Sequence, residues 1–191
     1  MVFRIPRKSD EANKKIGVHV PKPSRKDYAE YYHNYVQEID SDNITEVLQK
    51  QLNSTLELFK EIPEEKGNYT YASGKWSIKE VLGHCIDTER IFACRALCIA
   101  RGEKKPLPGM EQDVYAKAGE FNNRSLKNLL DEYELMRKSN IILFNSFPQK
   151  ALQNRGIASG NEVTVLGLMF IIAGHELHHI NVLKERYLDK L

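Results

Sequence analysis

The segment TVLGLMFIIAGHELHHINVLKERY, residues 164–187, constrains the fold more than any other part of the chain. Leu168, Ile171, Ile172, His175, His179, Val182 and Leu183 fall at helical spacing, so they form one inward stripe of a long helix. Two histidines therefore interrupt an apolar face that other elements must cover. The core that receives this helix has to receive two imidazoles with it.

The same periodicity predicts three partner helices. Ile44, Val47, Leu48, Leu52, Leu56 and Phe59 mark one that stops at Pro63. Ser77-Ile78-Lys79-Glu80 has the S-x-x-E form of a capping box, which starts a second helix at Ser77 and lets it run to about Arg101. Its inward face is Ile78, Val81, Cys85, Phe92 and Ala96. Gly102 and the prolines of EKKPLPGMEQDVY then impose a long connection before Ser125 opens a third helix. That helix carries Leu126, Leu129, Leu130, Tyr133, Met136, Ile141 and Phe144 and ends by Pro148. The tyrosine-rich stretch DYAEYYHNYVQEI predicts a short helix, and QNRGIASGNEV reads as a turn-rich loop. No period-two alternation flanked by hairpin turns stands out. The expected fold class is all-α, a four-helix bundle with a long crossover connection between the second and third long helices. Residues 1–25, with three prolines and no apolar period, are expected to form a loosely packed N-terminal arm. Residues 26–191 form the bundle domain.

Charge excludes some partners. Lys and Arg number 28 against 26 Asp and Glu, well mixed, so neither nucleic acid nor an anionic membrane is expected as partner. The N-terminus lacks the apolar core of a signal peptide, and the apolar run Val165–Gly174 is too short to span a bilayer, which points to the cytoplasm. Cys85, Cys94 and Cys98 lie in one predicted helix and are expected to be reduced, small buried side chains without a disulfide or metal role.

His175 and His179, four apart on a helix, have Cβ atoms about 5–6 Å apart, so both can offer a nitrogen to one ion. His178 lies off that face, and His19 and His33 are expected to be solvated. His84 borders the inward face of the second helix. It reads either as a satisfied core histidine or as a third ligand; the pair, too, reads either way. Three imidazoles from two helices with a position left open describe a catalytic site better than a closed structural one. His175-Glu176-Leu177-His178-His179 also matches the H-E-x-x-H pattern of zinc peptidases. Those enzymes need a third ligand downstream, but the corresponding Gly and His positions hold Val182 and Glu185. The peptidase reading therefore ranks last. Glu176 and Asp87 each sit one step from a histidine's face and are candidates to orient an imidazole or act as a base. The plainer reading of both is a solvated or salt-bridged carboxylate. Arg90, Arg95 and Arg101 are expected to snorkel or pair at the surface, and Trp76 to pack as a hydrophobic staple before Ser77.

Taken together, the stretch GKWSIKEVLGHCIDTERIFACRALCIARG at residues 74–102, PLPGMEQDVY after it and the terminal TVLGLMFIIAGHELHHINVLKERYL resemble the DinB/YfiT-like superfamily of metal-dependent enzymes. The resemblance spans most of residues 44–188. It implies a four-helix bundle of unusual topology, a homodimer, and a Zn or Ni ion held by one histidine of the second helix and an H-x-x-x-H pair of the last. Those positions are His84, His175 and His179 here. Relatives include S-transferases that use a low-molecular-weight thiol such as bacillithiol, and a thiol-dependent isomerase. The expected activity is thus thiol S-transfer, with a small-molecule substrate whose thiolate the ion holds. The alternatives are a hydrolase with a metal-activated water, and a stress-associated binding module with a structural metal.

Overall fold

The structure, a computed structural model, describes residues 20–188. The greater part of the expected N-terminal arm, residues 1–19, lies outside the described residues. Where the arm enters them, Val20 and Pro23 are buried, and the Val20 N–H donates to the Asp42 carbonyl at 2.9 Å.

Six α-helices follow: α1 (His33–Gln37), α2 (Ile44–Lys60), α3 (Ile78–Ala100), α4 (Gln112–Ala118), α5 (Leu126–Asn145) and α6 (Val165–Arg186). The starts of the long ones are set by local chemistry. Ser77 and Glu80 form the reciprocal capping box of α3, Ser125 accepts from the Asn128 N–H to cap α5, and Thr164 accepts from the Gly167 N–H to cap α6. Two elements differ from expectation. The long connection after α3 contains α4, and the stretch read as a loop is a hairpin, β1 (Arg155–Ala158) paired antiparallel with β2 (Asn161–Thr164). Its two-residue turn is Ser159-Gly160, both in the left-handed region (φ 52° and 76°), as a tight hairpin turn requires. Arg155, Gly156, Asn161 and Glu162 hid the alternation that would have marked the strands.

Helices α2, α3, α5 and α6 close the bundle, and tertiary bonds fix their directions. Tyr187 Oη at the end of α6 donates to the Trp76 carbonyl before α3, and Arg95 late in α3 meets Ser159 just before α6. These two helices are antiparallel. Ser77 bonds Asn122 ahead of α5, Asn140 bonds Glu89, and Asn154 after α5 bonds the Ile99 and Ala100 carbonyls, so α3 and α5 are parallel. Gln51 on Ala173 and Thr55 on Glu176 make α2 parallel to α6. A parallel α3/α5 pair obliges the chain to travel the length of the bundle between them, which is the physical reason for the long crossover.

In helix α6 every residue from Val165 to Glu176 is buried. By length and composition Val165–Arg186 would suffice to cross a membrane, but 67% of its apolar window is buried in this bundle. At Gly174 a Cβ would stand 2.1 Å from the Tyr35 carbonyl oxygen, so only glycine lets α1 lie flat on α6 one residue before His175. Among the cysteines, only Cys85 is buried. Cys94 is exposed and Cys98 half-buried, which corrects the expectation for that pair: their turn of α3 faces outward.

Candidate metal centre

His84 on α3 and His175 and His179 on α6 bring one ring nitrogen each to within 4.8 Å of one another. His175 Nε2 stands 3.0 Å from His84 Nε2 and 3.2 Å from His179 Nε2. Zn–N bonds of about 2.0–2.1 Å at tetrahedral angles place nitrogens about 3.3 Å apart, close to these separations. The donors also call for a cation on their own chemistry. An imidazole nitrogen carries either one proton or one lone pair, so His175 Nε2 can complete a hydrogen bond with one of its two neighbours and not with both. A cation accepting all three lone pairs removes the conflict.

Electrostatics favour the ligating, neutral form. Burial pushes the His84 imidazole down to about 4, against a partly opposing field from Asp113. Burial and then the neighbouring imidazoles His84 and His178 bring His179 to about 3. His175 is held well below its ordinary value by burial first, then by His179, His84 and His178. Each folded-state value lies below that of a solvated histidine near 6.5, so the unfolded chain binds more protons and stability is lost as pH falls from about 6.5 toward 4. In metal-free protein, His84→Ala is expected to remove one such contribution, reducing the slope of unfolding free energy against pH by up to about 1.4 kcal/mol per unit. Urea melts at a series of pH values between 7 and 5 measure it; an unchanged slope would mean that His84 protonates freely in the fold.

The surroundings differ from expectation at several residues. Trp76 does more than staple α3: its ring lies 4.6 Å from that of His84 and 6.4 Å from that of His179, roofing the cluster. Tyr35 of α1 meets His175 edge-on at 5.6 Å. His178 is exposed and lies outside the cluster.

Glu176 is buried but turned away from the ring nitrogens. Its Oε1 accepts from Thr55 at 2.6 Å and Tyr133 at 2.5 Å, and its Oε2 from Arg137. With its oxygens so engaged it is placed as a structural anchor, not as the base considered from sequence. Asp87 is half-buried on the α5 side with Glu132, Arg90 and Arg124 around it, so it too is directed away from the cluster. The Nδ1 of His84 meets Thr88 Oγ1 at 3.5 Å. The carboxylate whose field reaches His84 is that of Asp113, carried there by α4, an element that the sequence reading did not contain.

A cavity of about 360 Å³ opens beside the cluster, with His84, His175, Tyr35, Phe92 and Arg95 among its walls. Arg90 pairs with Glu132 at 2.7 Å and Arg101 lies over the Phe147 ring, as surface arginines do. Arg95 departs from them: it is buried and faces the cavity.

Comparison with known proteins agrees with this architecture. The family profile described as the DinB superfamily matches residues 48–183. Among solved structures, YfiT from Bacillus subtilis, described as a probable metal-dependent hydrolase with an unusual four-helix bundle topology, is similar with a TM-score of 0.64 at 13% identity. The match covers 87% of this chain and 91% of that one. No curated protein matches the chain.

Proposed function

The chain belongs to the DinB superfamily, and from that premise we propose that it is a metal-dependent thiol S-transferase in which His84, His175 and His179 hold one Zn or Ni ion. The observation that carries the reading is the convergence of three neutral Nε2 atoms on the wall of a small-molecule-sized cavity. A divalent cation so held would supply Lewis acidity, lowering the pKa of a thiol or a water that reaches it. The chain does the rest. Trp76 and Tyr35 shield the cluster from bulk water, while the cavity admits the second reactant past Arg95. In the reaction the thiol gives its proton to solvent. Its sulfur bonds to an electrophilic carbon, and the leaving group departs with the electron pair.

Thiol transfer suits the site because it needs no protein base, and the two carboxylates beside the histidines in sequence, Glu176 and Asp87, point elsewhere. One observation supports the hydrolase as second reading: the field of the Asp113 carboxylate reaches His84, and its neighbour Gln112 lines the cavity, so Asp113 is the carboxylate to test as a base. The similar YfiT structure is described in those terms.

The two readings separate by assay. Zinc-loaded protein is expected to accelerate the conjugation of glutathione to chlorodinitrobenzene beyond the rate with free zinc, to lose that rate in His175→Ala and to keep it in Asp113→Asn. Chloride release measures it. Were nitrophenyl acetate hydrolysed instead, with a loss of about 100-fold or more in Asp113→Asn, the hydrolase would replace the transferase.

A further inference from the structure

Among the described residues, Arg95 is a buried cation without an anion. The residue is 5% exposed, and its Nη2 donates to the Pro108 carbonyl at 2.6 Å and to Ser159 Oγ at 3.1 Å, both uncharged acceptors. The other buried cations are compensated, Arg137 by Glu89 and Glu176 and Lys79 by Glu64. Among the described residues no carboxylate pairs with Arg95, and its Nε and Nη1 donate no hydrogen bond. The Phe92 ring, 5.1 Å from the guanidinium carbon, offers partial compensation. A desolvated charge with only neutral partners is costly, and the cost is recovered when a ligand brings the missing anion.

The surroundings hold this arginine in place for such a ligand. Leu107 N–H donates to the Ile157 carbonyl at 2.8 Å and Ser159 N–H to the Leu107 carbonyl at 3.2 Å, so crossover and hairpin are stitched together where they hold Arg95. Ser159 adopts φ 52°, uncommon for a residue with a Cβ, at the turn that sets its hydroxyl on the guanidinium. Arg95 lines the same cavity as His84 and His175. Eleven residues separate it from His84, about three turns and roughly 16 Å along the same face of α3. A molecule of two or three residues' length spans the space between their side chains; a bare two-carbon thiol does not.

We propose that Arg95 is the anion subsite of this cavity, so that the substrate reacting at the histidine cluster carries a carboxylate that Arg95 takes at the far end. The proposal rests on the enzymatic reading above and supplies its substrate class: a small thiol, or thiol acceptor, bearing a carboxylate. Arg95 is a binding residue that fixes the ligand's direction; the chemistry stays with the cluster.

The test uses zinc-loaded full-length protein and reads binding, not turnover, through the fluorescence of Trp76, the single tryptophan, beside His84. Glutathione and its diethyl ester share a thiol but differ in free carboxylates. Glutathione is expected to bind about 10–100-fold more tightly, the ratio falling to about one in Arg95→Met and surviving in large part in Arg95→Lys. Zinc affinity, measured by competition with a chromophoric chelator, is expected to be the same in native protein and both variants, showing that the fold persists. S-methylglutathione, with carboxylates but no free thiol, separates the two ideas. If it binds as well as glutathione and still depends on Arg95, the anion subsite stands and the thiol reading falls. A ratio near one in the native chain, or a ratio that Arg95→Met leaves unchanged while zinc is still bound, overturns the subsite.

Discussion

Native protein expressed without a tag is expected to hold about one Zn or Ni per chain, and His175→Ala to hold none. His175 contributes the central nitrogen, 3.0 Å from one neighbour and 3.2 Å from the other, so its removal leaves two donors on different helices. Loss of a group that merely orients a ligand costs about 10–100-fold in metal affinity, so loss of a ligand itself is expected to cost more than about 1000-fold. His84→Ala should behave likewise. His178→Ala, an exposed histidine in the same H-E-x-x-H run, should retain the ion, and this contrast separates a three-dimensional site from adventitious binding to a histidine-rich helix. Elemental mass spectrometry measures stoichiometry. A parallel thermal melt measures linkage: an ion present at 100 times its dissociation constant stabilises the folded state by about 2.7 kcal/mol in native protein and not in His175→Ala. Native protein that takes up no metal even after reconstitution would sink the metal centre and the enzyme readings built on it.

What could be read from the sequence was what local chemistry encodes. The caps Ser77, Ser125 and Thr164 and the apolar stripes located the four long helices to within a residue or two, because capping and helical periodicity act over three or four positions. The histidine cluster was legible for a related reason: a polar side chain on an apolar stripe is a local anomaly, and two helices each showed one. The same test would have flagged Arg137 and Asn140, which lie four and seven residues after Tyr133 on the buried face of α5, and Glu89, four after Cys85 on α3. Arg95, three turns beyond His84 on the same face of α3, bears that mark without showing what it meets, and Trp76 and Asp113 bear none. Their roles depend on the hairpin turn at Ser159, on the path of the chain before α3 and on α4, none of which has a periodic signature. Long-range geometry, set by which helices run parallel, decided which carboxylate approaches the cluster and which one turns away.

Arg137 carries the largest expected cost in stability. It is fully enclosed, and its guanidinium binds Glu89 through Nε at 2.8 Å and Nη2 at 2.6 Å, Glu176 through Nη2, and the Leu48 carbonyl through Nη1 at 3.2 Å. Asn140 adds a bond to Glu89, and Tyr133 and Thr55 add theirs to Glu176, so the network draws on all four long helices. Burial works against the charge, but the fields of Glu176 and Glu89 outweigh it and hold the guanidinium protonated, its pKa well above the usual arginine value. Arg137→Ala would leave two carboxylates in the core with no cation between them, a loss expected to reach about 3–5 kcal/mol in urea unfolding. Exchanging the three together, Arg137→Met with Glu89→Gln and Glu176→Gln, is expected to restore much of that loss, because it removes the charges along with the bond. The consequence for function lies in the sequence of α6, where Glu176 adjoins His175: a network that fixes one side of the helix fixes the imidazole on the other. The triple variant should therefore fold yet bind zinc more weakly than native protein, by about 10–100-fold, as loss of an orienting shell does elsewhere. If it regains both stability and full zinc affinity, the buried charges hold the bundle's register alone and the histidines are positioned by backbone packing at Gly174 and Tyr35. If it regains stability without affinity, the same four-helix network that closes the core also sets the metal centre.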